Sequence, residues 1–180
     1  MDEKKYNIIN EKSIDTILNS LTNSQIISYI SNDIVNILIE NKEKLKTHIN
    51  NENDPLYSNK IPKTKIIDYI TRFFTYSKIE ISTLILGYIY IKRFINKENY
   101  IISFRNIFRL IMSCIILAIK FNENKVYKNT FYAKVGGFDV DDLNNLEYNV
   151  FSRLDFNLRV LDEEFYEIIL NIYKDINDEG

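Results

Sequence analysis

The sequence has few of the residues that form covalent cross-links, metal sites or tight turns. Its 180 residues include one cysteine, one histidine, two prolines, four glycines and no tryptophan. A single cysteine, Cys114, cannot form an intrachain disulfide, which is typical of proteins from a reducing compartment. The one histidine, His48, has no cysteine, aspartate or glutamate at ligand spacing, so we expect a surface residue. We therefore predict no metal, no cofactor and a fold held by its apolar core, for which this length is sufficient.

Long apolar runs and an excess of positive charge are also missing. The most apolar segment, 104–121, is interrupted by Arg105 and Arg109 and is too short to span a bilayer comfortably. The opening Met1–Lys5 is not followed by the apolar run of a secretory signal. The formal net charge is −2, without the basic excess of a nucleic-acid-binding domain. We expect a soluble intracellular protein, cytoplasmic or nuclear, with no membrane and no nucleic acid as partner.

Apolar residues recur at helical spacing along most of the chain, without strand alternation or a short repeat. We predict a short helix over 14–21 behind a Ser13 cap, and a longer one that Ser24 caps and that ends in a solvated segment at 41–44. Further helices are predicted near 65–76, 79–96, 103–121, 128–135, 139–154 and 163–175. Segment 104–121 is apolar on all sides, which is typical of a helix at the centre of a bundle. The predicted fold class is all-α.

The segment 117–147 connects this central helix to the next two predicted helices. Gly136 and Gly137 follow an apolar helical run and suit a left-handed C-cap, and we expect the Gly136 backbone to require positive φ. Asp139 can then be the N-cap of the next helix. Lys120 lies in the last turn of the central helix, where spacing alone leaves two interpretations. It is either a cation that complements the helix dipole, or one side of a groove that it shares with Glu147.

Three short motifs occur in order within this segment. They are Ala118-Ile-Lys-Phe121, Tyr127-Lys-Asn-Thr-Phe-Tyr-Ala-Lys-Val-Gly-Gly137 and Leu143-Asn-Asn-Leu-Glu147. In this order and spacing they resemble the cyclin box, specifically that of the single-box, phosphate-regulator (P/U-type) cyclins. Upstream, residues 62–72 and 90–94 resemble the first two helices of that box. The resemblance covers about residues 61–160.

The resemblance implies a single five-helix cyclin box around a central third helix, here 104–121, with extra helices at both ends. The implied domains are an N-terminal helical extension and polar loop (1–60), the cyclin box (61–160) and a C-terminal helix (161–180). Many cyclins have a second five-helix repeat. This chain is too short for one, so we expect the flanking helices to cover the exposed surfaces of the box.

The resemblance also implies a function: a non-catalytic regulatory subunit that binds and activates a cyclin-dependent protein kinase. Such a subunit docks on the mobile kinase helix whose glutamate must pair with the lysine that orients ATP. The family's kinase-contacting lysine and glutamate match Lys120 and Glu147, and we assign Phe121, Lys134 and Asn149 to the same kinase-binding surface. Asn149 is neutral where an acidic side chain could help to anchor a kinase arginine. No small-molecule substrate is implied.

Other classes of function fit the sequence less well. Gly136-Gly137 follows a predicted helix and is not followed by Gly-Lys-Ser/Thr, so a phosphate loop is not indicated. The aspartates at 139–142 lack the glycine and glutamate of a calcium-binding loop, since those positions hold Asn144 and Val150. We predict no catalytic residues. One alternative is a cyclin-fold scaffold that binds transcription machinery or nucleic acid without activating a kinase, but such modules usually carry two repeats and a basic face.

Overall fold

A computed structural model describes residues 11–47 and 52–178, and within these ranges the chain forms eight helices and no strand. They are α1 (Glu11–Ser20), α2 (Asn23–Thr47), α3 (Ile66–Ser77), α4 (Ile81–Glu98), α5 (Ile107–Asn122), α6 (Asn129–Gly136), α7 (Val140–Arg153) and α8 (Asp162–Asp178). The all-α prediction is confirmed, and the five predicted box helices correspond to α3–α7. No helix in the described part of the chain is long and apolar enough to cross a membrane. His48 lies outside the described residues.

Helix α5 is the centre of the core. From Ile107 to Ile119 every side chain except that of Arg109 is buried. The helix packs chiefly against α4 and α7, and also against α3. Gly87 in α4 allows the two backbones to approach closely, because a Cβ there would lie 3.2 Å from Ile115 Cα. The apolar pattern of 104–121 therefore did identify the buried central helix.

Two of the helices outside α3–α7, α2 and α8, are fastened to α4 by charged side chains. In α2, Asp33 accepts hydrogen bonds from Tyr88 at 2.7 Å and from Lys92 at 3.0 Å. At the start of α8, Glu164 forms an ion pair with Arg93, whose guanidinium also donates to the Arg159 carbonyl at 2.9 Å. Helix α2 also packs on α3, and α1 packs on α8. The flanking helices thus cover one side of α3 and α4.

The predicted N-caps of the first two helices are wrong. Helix α1 already includes Ser13, and α2 begins at Asn23, so Ser24 lies inside its first turn. The cap of α2 is Thr22. Its N–H donates to Gln25 Oε1 at 2.8 Å, and the Gln25 N–H donates back to Thr22 Oγ1 at 3.3 Å. This reciprocal capping box satisfies two helix-terminal donors, which a serine at position 24 could not do from within the helix.

The helix end predicted at 41–44 is also wrong, because α2 continues to Thr47, although residues 42–44 are exposed as predicted. Asn41 is buried, and its Nδ2 donates to the Ile102 carbonyl at 3.4 Å. A polar side chain that finds a partner on the α4–α5 connection keeps this part of α2 against the core. At the other end of the box, Asp139 is the N-cap residue of α7 as predicted, although its side chain makes no capping hydrogen bond.

Candidate functional site

The structure brings Lys120 and Glu147 together. Lys120 is in the last turn of α5, and Glu147 is in the middle of α7, which packs against it. Lys120 Nζ lies 2.6 Å from each of the two carboxylate oxygens of Glu147. The side chains are 33% and 17% exposed, respectively. The lysine is therefore one half of an ion pair between two helices, in addition to its position at the negative end of the α5 dipole.

Asn129, the first residue of α6, binds the same carboxylate. Its Nδ2 donates to Glu147 Oε2 at 2.9 Å and to Asn144 Oδ1 at 2.6 Å. Three helices therefore meet at one glutamate, with Lys120 on one side and Asn129 on the other. Asn129 Oδ1 is buried and has no hydrogen-bond partner in the described part of the chain. The sequence placed Asn129 in a motif but gave it no role, because its partner lies 18 residues away on another helix.

Large apolar side chains next to these polar groups along the chain are exposed. Phe121, next to Lys120, is 60% exposed, and Tyr148, next to Glu147, is 67% exposed. Phe156, 56% exposed, lies beside Tyr148 with ring centroids 6.3 Å apart. Exposed aromatic side chains around a partly buried charge pair are typical of a protein-binding surface. The sequence pointed to Phe121 but not to Tyr148 or Phe156. Tyr148 lies outside the buried stripe of α7, and Phe156 lies in the turn after that helix.

The turn after α7 holds Phe156 in an unusual backbone conformation. Asp155 and Phe156 have φ values of 57° and 54°, so both adopt the left-handed conformation without being glycine. Such residues cost about 1–3 kcal/mol each. The Phe156 N–H donates to the Phe151 carbonyl at 3.0 Å, and the two rings pack edge to face at 5.0 Å. These contacts fix Phe156 at the surface beside Tyr148.

Two of the sequence-assigned residues lie apart from this cluster. Lys134 is exposed on α6 and makes no ion pair within the described residues. Asn149 is two positions beyond Glu147, which places it on a different face of α7. Its Oδ1 accepts a hydrogen bond from Arg153 at 3.4 Å, and Arg153 in turn pairs with Asp54 at 3.3 Å. The structure therefore does not bring Asn149 to the Lys120–Glu147 pair.

A cavity of about 910 Å³ lies between residues 57–64, α3 and the α6–α7 turn. Arg72 and Arg109 line it, and Arg109 pairs with Asp142 at 2.7 Å. It shares no lining residue with the Lys120–Glu147 cluster. Across the residues that the structure describes, no group of histidine, cysteine or acidic side chains is arranged to hold a metal ion.

Comparison with known proteins decides the family. A sequence model of the family described as Cyclin matches residues 11–158. The chain belongs to the cyclin family. This cyclin is 36% identical to Cyclin-U2-1 of Arabidopsis thaliana over 121 residues, which are 67% of this chain and 54% of that protein.

Two further relatives place it in the same subgroup. It is 32% identical to Cyclin-U3-1 of Arabidopsis thaliana over 117 residues, 65% of this chain and 53% of that protein. It is 30% identical to Cyclin-P3-1 of Oryza sativa subsp. japonica over 119 residues, 66% of this chain and 50% of that protein. The chain spans about half the length of these curated relatives. The predicted likeness to P/U-type cyclins is confirmed.

Proposed function

We propose that this cyclin is a non-catalytic regulatory subunit that binds and activates a cyclin-dependent protein kinase. We further propose that it binds through a docking surface formed by Lys120, Glu147, Phe121, Tyr148 and Phe156. The observation that carries this proposal is the partly buried Lys120–Glu147 pair, each member of which is followed along the chain by an exposed aromatic residue. Cyclins generally regulate kinases of this class, and the chain belongs to that family.

The two kinds of side chain would contribute differently to binding. Burying a phenylalanine or a similarly large apolar side chain stabilises a complex by about 1.5–3 kcal/mol, so the three aromatic residues would supply most of the affinity. The charged pair would instead fix the register, because charges that lose their remaining water without a partner are costly. The interhelical pairing of Lys120 and Glu147 keeps both charges compensated before and after the kinase covers them.

Activation requires more than binding. Phosphoryl transfer needs the mobile kinase helix in the position where its glutamate pairs with the lysine that orients ATP. A rigid helical surface raises the population of that state only by binding it more tightly than the inactive one. Helix α5 is buried up to Ile119 and α7 packs in the core through Leu143, Leu146 and Val150, which supports the rigidity that this mechanism needs.

Lys134 and Asn149 have different places in the proposal. Lys134, which is exposed on α6, is proposed to lie at the rim of the interface. The docking surface that we propose does not include Asn149, whose side chain accepts a hydrogen bond from Arg153.

Co-purification and a paired substitution test the function. The wild-type protein should recover a cyclin-dependent kinase in near-equal amount and increase its activity. Lys120→Ala with Glu147→Ala should weaken binding by about 2–5 kcal/mol, because the kinase groups that contact the pair lose their partners, with little change in melting temperature. The control is Lys46→Ala with Glu43→Ala, which removes a largely exposed Lys–Glu pair on α2 and should leave binding unchanged.

Two outcomes would contradict the proposal. A Lys120/Glu147 double variant that melts much lower but still activates the kinase would make these residues structural charges only. Recovery of nucleic acid or polymerase subunits in place of a kinase would favour the scaffold alternative.

A further inference from the structure

The end of α5 is fastened to the start of α4 by the two residues that follow Phe121. Glu123 Oε1 accepts hydrogen bonds from the Glu80 N–H at 2.9 Å and from Thr83 Oγ1 at 2.7 Å. Asn122 Nδ2 donates to the same Thr83 hydroxyl at 2.8 Å. Thr83 is completely buried, and its hydroxyl both donates and accepts. All three contacts join residues about 40 positions apart in the chain.

Helix α4 has no side-chain cap of its own. Glu80 is its N-cap residue, and the Glu80 side chain makes no capping hydrogen bond. In a capping box, a glutamate at the third helical position reaches back to the N–H of the N-cap residue. Here that third position is Thr83, and Glu123 reaches the N-cap N–H from the end of another helix. Its negative charge also lies at the positive end of the α4 dipole.

The same contacts hold the kinase-facing end of α5. The Glu123 N–H donates to the Ile119 carbonyl at 2.9 Å and closes the last turn of the helix. Lys120 and Phe121 are therefore held on one side by the buried body of α5 and on the other by the attachment to α4. A helix end without such an attachment frays, and its side chains must be ordered again on binding.

We infer that Glu123 is a positioning residue, which holds Lys120 and Phe121 in the geometry that the kinase binds by capping α4 from a distance. The inference rests on the proposed function. Glu123 Oε1 is engaged inside the protein, and the role that we assign needs no contact between Glu123 and the kinase. Loss of the cap should weaken kinase binding about fivefold to tenfold, the scale of a lost helix N-cap.

Three variants separate this role from general stability. Glu123→Ala removes both hydrogen bonds, whereas Glu123→Gln keeps an acceptor oxygen for Glu80 N–H and the Thr83 hydroxyl. Glu80→Ala is the matched control, because it removes a glutamate side chain from the same junction without removing a capping hydrogen bond. The first measurement is amide hydrogen exchange over 80–84 and 117–124 in the free protein. The second uses the kinase that co-purifies with the wild type and follows its rate of dissociation from each variant.

We expect faster exchange in both segments for Glu123→Ala, a smaller change for Glu123→Gln and none for Glu80→Ala. The rate of kinase dissociation should increase most for Glu123→Ala, less for Glu123→Gln and not at all for Glu80→Ala. Equal exchange in Glu123→Ala and Glu80→Ala would overturn the inference, and so would faster exchange without any change in kinase dissociation. If the wild type itself binds no kinase, the proposed function fails. That failure is distinguishable from failure of the inference about Glu123, because it is seen without any substitution at position 123.

Discussion

At the scale of single residues, the two adjacent glycines at the end of α6 have different roles. Gly137 has a φ of 78°, and its N–H donates to the Ala133 carbonyl at 2.8 Å, so it is the left-handed C-cap. We predicted that Gly136 itself requires positive φ. That is wrong, because Gly136 is the last residue of the helix. It is needed for space instead, since a Cβ there would lie 2.5 Å from Met112 Sδ of the buried central helix.

Substitution of the two glycines should separate these requirements. Gly136→Val should lower the free energy of unfolding by about 1–3 kcal/mol, because the added atoms overpack the contact with α5. Gly137→Ala should cost about 1 kcal/mol from backbone strain alone, since no atom lies within 4 Å of its Cβ position. Urea unfolding of both variants measures the difference. A Gly136→Val protein as stable as the wild type would show that the junction of α5 and α6 is loosely packed.

The site residues show how far a single sequence can be interpreted. Lys120 and Glu147 lie in motifs whose order along the chain carried the resemblance, so a common groove was predicted for them, but not the ion pair between them. Asn129 and Glu123 were not assigned, because each has its partner on a helix 18 to 43 residues away. Periodicity gives the buried face of each helix, but the meeting of two helix ends depends on how the helices cross.

At the scale of helices, positions and buried faces were predictable and the ends were less so. All five box helices were anticipated, yet α5 begins at Ile107 and not near 103. The residues before it form a turn in which the Ser103 N–H donates to Asn106 Oδ1 at 2.8 Å. Local side-chain bonds of this kind compete with the first helical turn, and apolar spacing does not report them.

Helix α6 allows the proposed rim position of Lys134 to be tested. One face of α6 is packed, with Tyr132 and Ala133 buried, while Lys134 is exposed. Lys134→Glu should slow association with the kinase at low salt, because an exposed rim charge acts mainly on the association rate. The effect should vanish at high salt, since such charges are screened beyond about 10 Å at 0.1 M. An association rate that is unchanged at both salt concentrations would make Lys134 an ordinary surface lysine.

At the scale of the whole molecule, buried tyrosines make the fold sensitive to alkali. Burial raises the pKa of Tyr69, Tyr88 and Tyr100 well above the ordinary value, and it raises the pKa of Tyr90 to about 12. The hydroxyl of Tyr90 donates to the Leu158 carbonyl at 2.8 Å, and that of Tyr88 donates to Asp33. These groups stay protonated in the folded protein at a pH where they ionise in the unfolded chain.

Stability should therefore fall as the pH rises above about 10, the ordinary pKa of tyrosine. Below that pH both states hold the proton, and the stabilisation is fully present. Between about 10 and the raised pKa values the unfolded state alone releases it, so the free energy of unfolding decreases with pH. In this window, a tyrosine as buried as Tyr69 lowers the free energy of unfolding by about 1.4 kcal/mol per pH unit.

The midpoints of urea unfolding between pH 8 and 11, together with tyrosinate absorbance, measure this loss of stability. Tyr76→Phe is the control, because it removes a tyrosine whose side chain is 62% exposed and not part of the core. A urea midpoint that stays constant up to pH 11 would contradict the assignment.

The burial of α5 on every side has a consequence for biosynthesis. The helix leaves the ribosome before α7, which covers one of its faces, and roughly 30 residues separate the two helix ends. At a synthesis rate of about 5–20 residues per second, synthesis of α7 is completed roughly 2–6 s after that of α5, the most apolar helix of the chain. Throughout that interval its apolar side chains are available to molecular chaperones and to other nascent chains, so the segment that stabilises the finished cyclin is also the one most exposed to aggregation during translation.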